Sequence, residues 1–479
     1  MELNPRSPKS DPITPLWWHD LTEIWGIYNV APEHLSPLCL GERLQTRSLA
    51  TGLSWRRKAH LRAASRWFCH FLPEADLRKV AQRYREAYYH LVELQDWPIA
   101  QQLLWMPLGN YPIHRQLWFW GHYSEALEFL SPLLPRSSEQ WQCFLLYEVG
   151  QVQAILGNHG AALQAFEQQL SLAQTLKLPR AVIKGYGGLG RLYSYHQADT
   201  ETALHYYQQQ LRWARRYRDV LEEALALDGL GRVCFLQGQW RRSTYLYQQA
   251  WERIQGVTDP EAHRIQLLRL EGSYLRWSPV KDKRTILQHQ LQVAQSAQNQ
   301  QQIWEAAHYL GIAEADTSHW QAAHAAFEAA IAAAKAAQDI RNFSVSTAAQ
   351  GGLYARRKEW RKAIACTEAV IPTIQQASDP VAEAVFWFNL SYCYSELNQP
   401  FRALRHATHI RRLAKLTKSA YVRGMLYLAV ANANWHSRRW LAGLWLAGLG
   451  VFHLGWWRSA DGRLALAKVF SVLRMEIGQ

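Results

Sequence analysis

The chain is short of reactive or cross-linking chemistry. Its six cysteines, Cys39, Cys69, Cys143, Cys234, Cys366 and Cys393, are scattered over 479 residues with no CxxC and no Cys/His cluster at metal-ligand spacing. That excludes a zinc finger or ribbon and a disulfide scaffold. It leaves small buried thiols in a reducing compartment. No GxSxG, Walker loop or HExxH occurs, and no acid–base–nucleophile constellation stands out. No catalytic residue, cofactor or resident metal is therefore expected, and the chain does not read as an enzyme. Met1-Glu2-Leu3-Asn4-Pro5 contains no apolar stretch, so no secretory signal is read there and a cytoplasmic location is expected. Runs of β-branched residues are scarce, and Gly and Pro are modest at 27 and 18. Gln, Ala, Leu and Arg dominate, and all four favour helix.

What is present is a register. Trp240, Trp320, Trp360 and Trp440 sit at gaps of 80, 40 and 80 residues. Three residues after each comes a small residue: Ser243, Ala323, Ala363 and Gly443; Ala162, Ala203 and Ala403 fill the same slot elsewhere. Four residues further on an aromatic often follows (Phe166, Tyr207, Tyr247, Phe327), whereas Thr367, Ala407 and Ala447 stand there in other blocks. Twelve or thirteen residues before the small residue lies a glycine: Gly150, Gly190, Gly231, Gly311 or Gly351; Ser391 and Ala431 take that slot in the last two blocks. A small residue lets the second helix of a hairpin approach the first. The glycine opposite leaves room for the aromatic on the same helical face. Asp219, Asp259, Asn299, Asp339 and Asp379 recur every 40 residues as well, and they read as breaks between hairpins.

Leu310-Gly311, Ala323, Phe327 and Ala330 at these offsets resemble the tetratricopeptide repeat (TPR). The resemblance covers about residues 139–457, with a period near 40 in place of the usual 34. It implies an all-α fold, a right-handed superhelical solenoid of helical hairpins with capping helices at both ends. The expected organisation is a disordered lead at 1–12, a helical cap at 13–74, two divergent repeats at 75–138, the solenoid at 139–457 and a C-terminal capping helix at 458–479. The aromatic-rich 13–74 segment either covers the first hairpin or presents Trp17 and Trp18 to a partner. The missing repeat near Lys283 marks a degenerate block.

The formal net charge is +14, mostly from arginine, with clusters at 212–218, 356–362, 402–418 and 438–439. Two readings stand: solvated helix faces, or a stripe that binds an anionic partner. Arginine favours carboxylates, so an acidic protein segment is preferred, and no specific nucleic acid is expected. The GYGGLG run from Gly185 to Gly190 matches a dinucleotide fingerprint by letters only, because it falls inside a repeat helix. His60, His70 and His90 lack ligand spacing, and His406 and His409 lie among arginines. Trp440 to Trp457 carries no formal charge and is flanked by Arg438, Arg439 and Arg458. It is either the second helix of the last block or a contact with a membrane or partner helix, with Arg438, Arg439, Trp440, Trp445, Trp456 and Trp457 as candidates.

By the resemblance, the first helix of each hairpin lines an inner groove that takes a peptide. The groove candidates are Tyr147, Gln151, Arg191, Tyr195, Arg232, His308, Tyr354, Asn389 and Tyr392. Three roles follow: a cytosolic protein-interaction scaffold, a membrane-associated assembly factor for a membrane complex such as a photosynthetic one, or a peptide-sensing regulator. The sequence leaves oligomeric state open.

Overall fold

The structure, a computed structural model, describes residues 37–69, 77–108, 111–197, 199–255, 270, 283–296, 298–437 and 440–454. The expected lead at 1–12, the pair Trp17-Trp18, Asp259, Arg438, Arg439, Trp456, Trp457 and the terminal segment 458–479 lie outside them.

Helix follows helix. The order is α1 Pro37–Ser48, α2 Trp55–Cys69, α3 Leu77–Glu93, α4 Trp97–Leu103, α5 Ile113–Trp120, α6 Tyr123–Leu130, α7 Glu139–Ile155, α8 His159–Thr175, α9 Pro179–Leu192, α10 Thr200–Arg216, α11 Val220–Leu236 and α12 Trp240–Ile254. It continues with α13 Lys283–Ser296, α14 Gln300–Asp316, α15 Trp320–Ala336, α16 Ile340–Arg356, α17 Trp360–Gln376, α18 Pro380–Glu396, α19 Pro400–Thr417, α20 Ala420–His436 and α21 Trp440–Leu454. Among the described residues the one extended pairing joins Pro107–Leu108 to Tyr111–Pro112. By contact the chain forms two compact units. One gathers the described parts of Met1–Trp118, Ser124–Val149 and Gln168–Ala181, and the other those of Phe119–Tyr123, Gly150–Glu167 and Val182–Gln479.

The second unit is an all-α repeat array of TPR-like hairpins. From α14 to α18 every helix has 17 residues, about 25 Å of rise. Three residues join each helix to the next. The middle one is left-handed at Gln298, Ser318, Gln338, Lys358, Ser378 and Asn398, as is Lys418 in the two-residue join after α19, all with φ between 50° and 63°. Seventeen plus three, taken twice, is the 40-residue period. The recurrent acids are the N-caps of first helices. Asp219, Asn299, Asp339 and Asp379 each accept a backbone N–H two or three residues on, at 2.9–3.1 Å. Each such cap contributes about 1 kcal/mol. Second helices start instead on Trp240, Trp320 and Trp360, with no side-chain cap.

The glycine slots do what the pattern requires. A Cβ on Gly311 would fall 2.7 Å from the Phe327 ring, and one on Gly190 2.9 Å from Tyr207. Phe166 is held between Gly150 and Gly188, where an added Cβ would stand 2.9 and 2.7 Å from its ring. Gly187, Gly188 and Gly190 of the GYGGLG run are therefore packing glycines, filled by Gln210, Phe166 and Tyr207. Where serine replaces one of the small residues it bonds across the hairpin. The Ser243 hydroxyl donates to Gly231 O at 2.7 Å, and that of Ser391 to Ala403 O at 3.0 Å.

The first unit begins with the hairpin α1–α2, on which α3 packs. Ser65 donates to Gly41 O at 2.8 Å, and Arg47 pairs with Asp96. Its core includes Phe68, Tyr84, Trp141 and Phe144, each at most 1% exposed.

Candidate partner-binding face of the first helices

Neighbouring first helices in the second unit touch through residues one period apart. Arg191 on α9 donates to Gln151 Oε1 on α7 at 2.9 Å. Lys184 reaches Glu222 at 3.3 Å, Arg341 reaches Asp379 at 2.7 Å, and Arg356 reaches Asp316 at 2.8 Å. The indole N–H of Trp304 on α14 donates to Ser346 Oγ at 2.8 Å, and His308 Nδ1 hydrogen-bonds the same hydroxyl at 3.0 Å. These separations are 38–42 residues, the repeat itself read as a distance in sequence.

Two pairs of the expected groove residues come together. One is Gln151 with Arg191. The other is Tyr195 with Arg232, whose guanidinium lies 3.5 Å over the tyrosine ring. Tyr195 stands on the π-helical turn Tyr193–Gln197 that ends α9. Arg341, from α16, also approaches that ring, at 5.6 Å. Burial opposes the Arg341 charge, but Asp379 and Asp339 outweigh it and hold its pKa above the usual value. The Arg232 Nε has no hydrogen-bond partner. The partners just named for Arg191 and Arg232 are both uncharged, an amide oxygen and a ring face.

The other candidates are placed apart. Tyr147, in the first unit, is 8% exposed, and His308 is 6% exposed beneath a stack with Trp304. Tyr354 hydrogen-bonds His324 Nε2 at 3.0 Å, with Lys362 5.6 Å over its ring. Tyr392 meets Trp360 edge-on at 5.9 Å, and burial pushes its hydroxyl up to about 12. Asn389 is half-buried on α18. Sequence reasoning missed Trp304, Arg341, Ser346 and the Asp379 carboxylate. Testing each polar residue against the one 38 to 42 positions on would have found them.

Three of the arginines are held by buried acids. Glu223 accepts from Arg215 at 2.9 Å with Arg253 at 3.4 Å, and Glu383 takes Gln375, Trp387 and Arg412 at 2.9–3.3 Å. His409 stacks on Trp387 with 4.0 Å between ring centroids, and His406 stacks on Trp387 and Tyr394 at 5.5 and 5.2 Å. Burial first, then His409 and nearby arginines, hold His406 below the usual histidine range. Among the described residues no group of three or more His, Cys, Asp or Glu is placed to hold a metal. Burial raises the Cys143 and Cys393 thiols to about 12, so they are protonated and unreactive.

Within the second unit, hairpins far apart in sequence also meet. His159 Nε2 donates to Ala377 O at 3.1 Å, and Ser419 Oγ to Leu236 O at 2.8 Å. Phe235 lies 4.8 Å from Tyr421 between ring centroids.

The last helix, α21, packs its glycine side on α20. A Cβ on Gly443 would meet Ala431 O at 3.1 Å, and one on Gly450 would meet Leu428 at 2.8 Å. Trp445 points away and is 69% exposed. Among the described residues no helix is long and apolar enough to cross a membrane.

No protein-family model matches the chain, and no curated protein matches it. Among solved structures it is similar to a Rap protein complexed with competence and sporulation factor, at 13% identity over 74% of this chain and 99% of that one, TM-score 0.44. It is similar to a signal transduction ATPase with numerous domains and a tetratricopeptide repeat sensor from Pyrococcus horikoshii, at 11% identity over 97% and 68%, TM-score 0.43. It is also similar to the human IFIT1 dimer with PPP-AAAA, at 14% identity over 91% and 98%, TM-score 0.40. The repeat fold of this chain rests on its own hairpin geometry.

Proposed function

We propose that this chain is a non-catalytic protein-interaction scaffold of the long-period TPR type. Its first-helix face binds an acidic segment of a protein partner at Gln151, Arg191, Tyr195 and Arg232. The observation that carries this is the Arg232 guanidinium. It lies 3.5 Å over the ring of Tyr195, a residue one helical turn from Arg191, whose bond to Gln151 is to an uncharged oxygen. A carboxylate that replaces the Gln151 amide at Arg191, on the same face as Arg232, gains a charge-assisted hydrogen bond. By contrast, the buried acids Glu223 and Glu383 already hold their arginines.

Crosslinking and affinity capture from native cells test it, comparing the unaltered chain with Arg191→Gln/Arg232→Gln. The double variant keeps its helical content and loses an acidic partner by tenfold or more, the effect of one or two charge-assisted bonds. Equal capture by both chains defeats the reading.

A second reading, a peptide-responsive regulator, is supported by the contacts of His159 with Ala377 and Ser419 with Leu236. A bound segment that separates these hairpins would raise amide exchange around residues 157–159 and 377. Unchanged exchange with the partner bound leaves the static scaffold.

A further inference from the structure

The charge asymmetry of the chain is concentrated late. Residues 397–460 contain no Asp or Glu and ten Lys or Arg. That stretch supplies α19, α20 and α21. Six of the ten, Arg402, Arg405, Arg411, Arg412, Lys415 and Lys418, are exposed on or just after α19. Arg412 is committed to Glu383 at 3.3 Å. Arg405, Arg411, Lys415 and Lys418 make no ion pair among the described residues.

The same surface carries large apolar side chains that nothing described covers. Phe401 is 88% exposed, Leu416 70% and Trp445 69%. At 100° per residue, Phe401, Arg405, Thr408, Arg412, Lys415 and Leu416 fall within one arc of about 100° on α19. Ala403, Ala407, Ile410 and Leu413 form the buried side. Phe401 and Leu416 stand about 22 Å apart along the axis with the cations between them. Both α19 and α21 are second helices of their hairpins, packed on first helices, so their outward faces look away from the same layer. On α21 that face is Ala442, Trp445 and Gly448, all exposed.

We propose that the outward face of α19 and α21 docks on an anionic lipid bilayer as a peripheral contact. The cations alone would serve an acidic protein or a nucleic acid; the exposed Phe401, Leu416 and Trp445 that accompany them are what an interfacial membrane contact adds. A bilayer interface uses both. Acidic headgroups attract the Lys and Arg, and the apolar tips enter the headgroup and acyl boundary. No spanning helix is involved. The inference stands apart from the acidic-segment site, which uses different helices and different arginines.

The test is co-sedimentation of the full chain with vesicles of phosphatidylcholine alone and of phosphatidylcholine with about 30% phosphatidylserine, at low and high salt. Binding is expected on the anionic vesicles only, and it weakens with salt. Arg405→Glu/Arg411→Glu/Lys415→Glu lowers it by about a hundredfold. Phe401→Ser/Leu416→Ser/Trp445→Ser lowers it by about tenfold or more at unchanged charge. These sites are exposed, and a matched far-UV spectrum shows that both variants fold. The inference is overturned by any of three results: no binding to anionic vesicles, charge-reversal variants that bind like the parent, or serine variants that bind like the parent. If the third comes with equal uptake of a single-stranded polynucleotide, the face is a general polyanion patch.

Discussion

Gly311 and Gly352 sit in successive first helices, α14 and α16, and differ in one respect. A Cβ on Gly311 would lie 2.7 Å from the Phe327 ring, whereas a Cβ on Gly352 meets nothing within 4 Å. Alanine at either place lowers the backbone entropy cost and improves helix propensity by about 1 kcal/mol. At Gly352 that gain stands alone. At Gly311 it is opposed by overpacking, which costs about 1–3 kcal/mol in a filled core. The upper part of that range applies because Phe327 is 2% exposed and packed among Ala315, Ala323 and Leu353. Gly311→Ala therefore destabilises by about 1–2 kcal/mol and Gly352→Ala stabilises by about 1 kcal/mol. A repeat array opens locally, so the assay is amide hydrogen exchange of the α14–α17 peptides. Exchange accelerates roughly five- to thirtyfold in the first variant and slows about fivefold in the second. Adding Phe327→Leu to Gly311→Ala costs less than the sum of the separate effects, because the smaller side chain frees the space. Equal effects of one sign at both glycines would refute the wedge as the reason for the repeat's glycine.

Asp379 is both N-cap and partner of the partly buried Arg341, and is itself 1% exposed. Asp379→Ala should cost about 3–5 kcal/mol, whereas Asp199→Ala, an exposed cap, should cost about 1 kcal/mol in urea unfolding. Lys358 has φ 62°, so Lys358→Gly should raise the unfolding midpoint by the equivalent of about 0.5–1 kcal/mol; no gain would mean that the side chain stabilises the turn. In the first unit His114 is buried against Trp105 and Phe144, donates to Leu104 O at 2.7 Å, and burial lowers its pKa from 6.5 to about 4. The neutral form is favoured in the fold. Its contribution is complete above pH 6.5 and is lost as pH falls from there through about 4. It amounts to about 3 kcal/mol, and His114→Asn should flatten melting temperature against pH in that window.

The period, the hairpin boundaries and the packing glycines were legible because each is a single-residue rule with a single physical cause. Asp219, Asn299, Asp339 and Asp379 mark breaks because they cap, and Gly311 faces Phe327 because nothing larger fits. The left-handed residues were not legible. Gln338, Lys358 and Ser378 occupy a conformation that normally announces itself with glycine. Here the following helix start fixes the turn instead. The Asp339 N–H bonds Ala334 O at 3.0 Å, and its side chain caps α16. The face of the first helices was legible only in part, since exposure there depends on what the neighbouring hairpin brings. Arg191 and Gln151 met as their shared register suggests, one period apart. His308 was taken into the core because Trp304 and Ser346 close over it. Tyr195 gained Arg341 from α16, about 150 residues away, through the return of distant hairpins on one another, which no local pattern encodes. On the proposed reading, an acidic segment at this face would meet Arg232 and Arg341 already in contact with Tyr195. Its affinity would then be set less by ordering those side chains than by what the segment offers in place of the Gln151 amide.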